Sequence, residues 1–200
     1  MADTLDTATP TRRRRSDAQR SIDAVVSAAR TILGERPDAS MEDIAAAAGV
    51  TRQTVYAHFP SRDALIVALV DAARTEGLAA IEAAHLDTVP PVEALGQFLD
   101  ISWELLRRYP LLFDPALNGS PLPDGHDHHH AVGPWLEQLI RRGQCTGDFD
   151  STFPASWLAA AIFGLGHTAA EQVAAGHLTT SKAAALLLES VLRLCGATKG

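Results

Sequence analysis

The chain contains only two cysteines in 200 residues, Cys145 and Cys195. They lie far apart, and neither has a second Cys or His at metal-finger spacing. A disulfide framework and a structural zinc site are therefore both excluded, and a reducing cytoplasm is the expected location. Long apolar runs are also missing. The richest windows, residues 64–70 and 157–165, are too short to cross a bilayer, and the first thirty residues lack the apolar stretch of a signal peptide. The chain is thus expected to be soluble, with no membrane partner. Net basic charge is lacking as well: 17 Lys and Arg stand against 24 Asp and Glu, a balance of −7, which taken alone argues against a nucleic-acid partner. There is no convincing β alternation and no internal repeat. Nor is there a nucleophile–base pair, a glycine-rich phosphate loop or a pair of catalytic carboxylates. What remains is a 46% hydrophobic, core-forming chain, expected to be all-α, to use no cofactor and not to be an enzyme.

The distribution of charge shows what its average hides. Residues 1–62 hold nine arginines against eight acids, whereas residues 63–200 hold eight basic and sixteen acidic side chains. The two parts are built for different partners. Residues 1–16 are polar, contain Pro10 and carry Arg12-Arg13-Arg14-Arg15, which predicts a disordered arm. From Asp17, the apolar positions Ile22, Val25, Val26, Ala29, Ile32 and Leu33 follow a helical period that Gly34 and Pro37 stop. Ser40 and Asp43 have capping-box spacing and predict a short helix over 41–48. Gly49 interrupts it, and Thr51 is placed to cap a second short helix that Pro60 ends. Ser61 caps a longer helix toward Ile81. Further helices are expected over 92–106, briefly over 111–117, over 127–142 with an irregularity at Gly133-Pro134, over 157–169 and over 187–195. Residues 118–125 and 143–154 read as loops, giving about nine helices in all.

Residues 41–60 have the grammar of a helix-turn-helix. Two steeply crossing helices need a small residue at their contact, supplied by Ala45. The turn between them needs a residue that tolerates positive φ, supplied by Gly49. Ile44, Val50, Val55 and Phe59 are the apolar pins, which leaves Arg52, Gln53, Thr54, Tyr56 and His58 as a polar recognition surface.

The run from Ile44-Ala45 through Ala48-Gly49-Val50-Thr51, Thr54-Val55-Tyr56, His58-Phe59 and Ser61-Arg62-Asp63 to Leu65 resembles the signature of the TetR family of bacterial transcriptional regulators. The resemblance covers about the first third of the chain. It implies a homodimeric repressor with a DNA-binding domain at 17–63 and an effector-binding and dimerisation domain at 64–200. In that arrangement Arg52 would read guanine, Gln53 adenine and the Thr54 methyl a thymine methyl. Ser40, Thr51, Tyr56, His58 and Arg62 would bond phosphates, and Arg12 to Arg15 would track a minor groove or only add counterion release. The family pattern often has Gly or Pro where this chain has Gln53. Tyr56 has a second reading, as a core aromatic.

In the larger domain, Trp103, Phe113, Trp135, Trp157, Phe163 and His167 are candidates to line an effector pocket, with ordinary core packing as the alternative for each. Gly164 and Gly166 would admit either a partner helix or a ligand. The last two helices suit a four-helix dimer bundle. No metal site is expected, although His126, Asp127 and His130 would share a helix face and form a weak candidate beside a loop. The expected partners are operator DNA, a small-molecule effector and a second copy of the chain. Two other readings stay open: a metal-responsive regulator sensing through residues 126–130, and a small α-helical enzyme or carrier.

Overall fold

The computed structural model describes residues 10–113 and 132–197, and in it α1 runs over Pro10–Glu35. This corrects the expected arm over residues 10–16. Arginine is a good helix former, so the arginine run is compatible with continuing the helix. Residues 1–9 lie outside the described residues.

The remaining helices are α2, Met41–Ala48, α3, Arg52–His58, and α4, Arg62–Ala83. Then come α5, Pro91–Arg108, a 3-10 turn, Pro110–Phe113, and α6, Gly133–Thr146. The chain closes with α7, Ala155–Ala174, and α8, Thr180–Leu194. The described residues thus hold eight α-helices and no strand. They divide into two compact units, residues 1–69 and 70–200, and α4 carries residues of both.

In the first unit α1 packs on α2 and α3. Its core is made of Val25, Ala29 and Leu33 from α1, Ile44 and Ala45 from α2, Val55 and Phe59 from α3, and Leu65 and Leu69 from α4, all buried. Burying each of the larger aliphatic side chains stabilises the unit by roughly 1.5–3 kcal/mol relative to leaving it exposed. Val50, the fourth expected pin, is only half-buried.

In the second unit α7 packs against α8 and α6, while α5 meets α6 and α8. Leu95, Leu136, Ile140, Leu158, Ile162 and Val191 lie at its centre. Several boundaries here differ from expectation, among them the start of α8, which Thr179 caps well before residue 187. Gly133 opens α6 as described, with Pro134 in its first turn, and the expected stretch 127–131 lies outside the described residues. Gly143 is not the start of a loop but a buried position inside α6, because the Phe149 ring occupies the space a side chain would take: a Cβ built there would lie 2.1 Å from Cδ2 of that ring. Gly147, at φ +82°, is the residue that ends the helix. Of the short helix expected over 111–117, a 3-10 turn covers the beginning and the rest falls outside the described residues.

Arg142 ties this unit together across distant sequence. Its guanidinium donates to the carbonyls of Leu86 at 3.0 Å and Val89 at 2.9 Å, and also to that of Asp87. The connection between α4 and α5 is thereby pinned to α6. Both cysteines are free thiols, Cys145 exposed and Cys195 buried. Among the described residues no helix is long and apolar enough to cross a membrane.

Candidate nucleic-acid interface

The α2–α3 segment is built by local hydrogen bonds. Ser40 closes the capping box: its Oγ accepts from the Asp43 N–H at 3.2 Å, while the Asp43 carboxylate accepts from the Ser40 N–H at 2.9 Å and from its hydroxyl at 2.7 Å. These bonds, the hydroxyl's first, hold the Asp43 carboxyl below the usual carboxylate range, and nearby Arg36 adds to the effect. At the other end Gly49 adopts φ +67°. Its N–H donates to Ala46 and that of Val50 to Ala45, a Schellman turn that satisfies the last carbonyls of α2. Thr51 caps α3 by accepting from the Thr54 N–H at 3.1 Å, and the two threonine hydroxyls lie 2.8 Å apart.

With α3 anchored inward by Val55 and Phe59, the helical period turns the rest of it outward. Arg52, Gln53 and Tyr56 are exposed, and Thr54 and His58 are half-buried. Tyr56 is exposed, so its alternative reading as a core aromatic does not hold. His58 meets Phe59 edge-on, with ring centroids 6.5 Å apart. The Arg52 guanidinium carbon lies 5.2 Å from the centre of the Tyr56 ring, and Arg52 Nη1 lies 2.5 Å from Oε1 of Glu42 on α2. Glu42 was not among the residues that the sequence pointed to. It stands ten positions before Arg52 in the chain, and only the crossing of the two helices brings them together.

Two of the expected phosphate ligands are engaged inside the protein. Ser40 exchanges its bonds with Asp43, and Arg62 donates from both terminal nitrogens to the carbonyls of Pro37 and Ala39. Arg62 thus fastens the start of α4 to the α1–α2 connection.

The second unit contains a cavity of about 160 Å³ between α5, α7 and their neighbours. Trp103, Phe163 and His167 line it together with Phe98, Ser102 and Gly166. A Cβ on Gly166 would meet nothing within 4 Å, so this glycine leaves room on the wall, whereas Gly164 is exposed. Trp135 is not among the lining residues but stacks on Phe98, with centroids 5.3 Å apart. Trp157 is corrected: it is 61% exposed, because the inward register of α7 belongs to Leu158 and Ile162. The side chain of Phe113 and the whole segment 126–130, with His126, Asp127 and His130, lie outside the described residues. Among those described, no group of three His, Cys, Asp or Glu could hold a metal.

Residues 25–69 match the family described as bacterial regulatory proteins, tetR family. The HTH-type transcriptional repressor LfrR of Mycolicibacterium smegmatis is 37% identical over 87 residues, 44% of this chain and 46% of that protein. The HTH-type transcriptional regulator NfxB of Pseudomonas aeruginosa is 30% identical over 131 residues, 62% of this chain and 67% of its own length. The chain belongs to the tetR family. Its match to LfrR spans less than half of that repressor's sequence. The similarity of fold extends further: the crystal structure of the TetR-like regulator LfrR in complex with proflavine superposes with a TM-score of 0.65 at 25% identity, covering 88% of this chain and 96% of that one. These tetR-family relatives carry names of regulators and repressors, which speaks against an enzyme or carrier.

Proposed function

We propose that this tetR-family protein is a homodimeric, sequence-selective binder of duplex DNA that represses transcription and is released by a small organic effector. The observation that carries the reading is the exposed face of α3. A capped seven-residue helix, pinned by Val55 and Phe59, presents Arg52, Gln53 and Tyr56 together to solvent. Those are the side chains suited to reading base edges and gripping phosphate in a major groove. Thr51, Thr54 and His58 border the same face. Ser40 and Arg62 act in this reading chiefly by holding the helices that present it.

The cavity beside Trp103, Phe163 and His167 is the proposed effector site, and the crystallisation of the similarly folded LfrR with proflavine supports a small organic molecule as the class of effector. Exposed Trp157 on α7 and Leu186 on α8 suit a dimer contact that would bury them. A dimer would set two copies of α3 in successive major grooves, and α4, which carries residues of both units, is the proposed route by which the effector alters their spacing. For the effector to act, it must bind the DNA-incompetent spacing more tightly.

A gel-shift titration with DNA from the protein's own promoter region tests the reading. The wild type should bind with a steep salt dependence, and the double variant Arg52→Ala with Tyr56→Ala should lose sequence-specific binding. Retention of specific binding in the folded double variant would remove α3 as the recognition helix.

A further inference from the structure

The contact between Arg52 and Glu42 is not explained by stability. Both side chains are about half or more exposed, and an exposed ion pair of this kind contributes little to the fold. Yet Arg52 is held from two sides, by the Glu42 carboxylate at 2.5 Å and by the Tyr56 ring 5.2 Å from its guanidinium carbon. Arginine on a short helix otherwise samples many rotamers.

We propose that Glu42 is a specificity-determining residue that positions Arg52 for base reading and withholds it from phosphates. The inference rests on the DNA-binding role assigned to α3. Its chemistry follows from the shape of a guanidinium. Glu42 engages Nη1, which leaves the Nη2–Nε edge to donate two parallel bonds, the geometry that guanine O6 and N7 accept. That same edge also fits a phosphate, but phosphates line the groove's walls and not the base edges, so a guanidinium that turns to one on a random sequence moves away from Glu42. That movement leaves an uncompensated carboxylate beside the polyanionic backbone, an arrangement both charges oppose. Glu42 therefore weakens non-specific binding more than specific binding, and the ratio between the two rises. Neighbouring Asp43 does not substitute for it, because its carboxylate is committed to Ser40.

The test begins by selecting preferred duplexes from a randomised DNA pool with the wild-type protein. Affinities for the selected duplex, for its single-base variants and for a random duplex are then compared among wild type, Glu42→Gln, Arg52→Ala and the double variant. Glu42→Gln should melt with the wild type, bind the random duplex about threefold more tightly and show a steeper salt dependence. Its discrimination at the base pair read by Arg52 should fall about tenfold. In the Arg52→Ala background the same substitution should leave discrimination unchanged, since the effect passes through Arg52. Undiminished discrimination by Glu42→Gln, or an equal loss without Arg52, would overturn the proposal. Failure of the wild type to select any sequence would overturn the DNA-binding role itself, and would be seen before any variant is compared.

Discussion

The two units of this protein hold their helices in place by different means. In residues 1–69 nearly every helix boundary is set by a neighbour within five positions: Ser40 with Asp43, Gly49 and Val50 with Ala46 and Ala45, Thr51 with Thr54, and Ser61 with Ala64 at 3.1 Å. In residues 70–200, α5 and α7 begin at prolines without a side-chain cap, and the α4–α5 connection is pinned by Arg142 from more than fifty residues away. Local capping suits a part whose task is to present α3 in one fixed attitude. A unit held by distant contacts can be repacked around a cavity without losing its helices.

That contrast can be broken most severely at Gly143. Gly143→Leu would drive a side chain into the Phe149 ring and is expected to destabilise the second unit by about 3 kcal/mol, read as a lowered urea midpoint. Next in size is Arg142→Met. It leaves the carbonyls of Leu86, Asp87 and Val89 without their donor and should cost about 2 kcal/mol by the same measurement.

A smaller effect is expected in the first unit from Gly49→Ala. Nothing crowds a Cβ there, so the cost is only that of a left-handed backbone, about 1 kcal/mol. A larger loss would mean that the turn is packed more tightly than its surroundings indicate. The smallest effect concerns acid. The Asp43 carboxyl is held below its ordinary range in the folded chain by Ser40. Its contribution is present above the unfolded carboxylate pKa and is lost as pH falls through the lowered folded one. The stability difference between wild type and Asp43→Asn should therefore shrink on acidification through that window, and a difference that stays constant would remove the charge from the capping box.

The same contrast explains which expectations held. The capping box, the Gly49 turn and the inward pins Ile44, Val55 and Phe59 depend on residues close in sequence, and all were legible before any coordinates. In the second unit the helical period gave the approximate spans of α5 and α7 but only the second half of α8, which begins at Thr180. Gly143 nevertheless read as a loop residue, because glycine in a sequence carries no sign of the ring that fills its missing side chain. Trp157 was expected beside a ligand and stands on the surface, since aromatic character does not reveal which face of an alanine-rich helix turns inward. The acidic average charge was equally silent until it was divided along the chain.

By itself the sequence determined the all-α class, the helix-turn-helix and the outward set Arg52, Gln53 and Tyr56, because capping, turn chemistry and helical period act over a few residues. Only the tertiary structure decided that Glu42 meets Arg52, that Arg62 is committed to bonds within the protein, and that Trp103, Phe163 and His167 share a cavity while Trp157 does not. Those outcomes follow from the crossing and rotation of helices, which the combined packing of many distant side chains sets and no short stretch of sequence encodes.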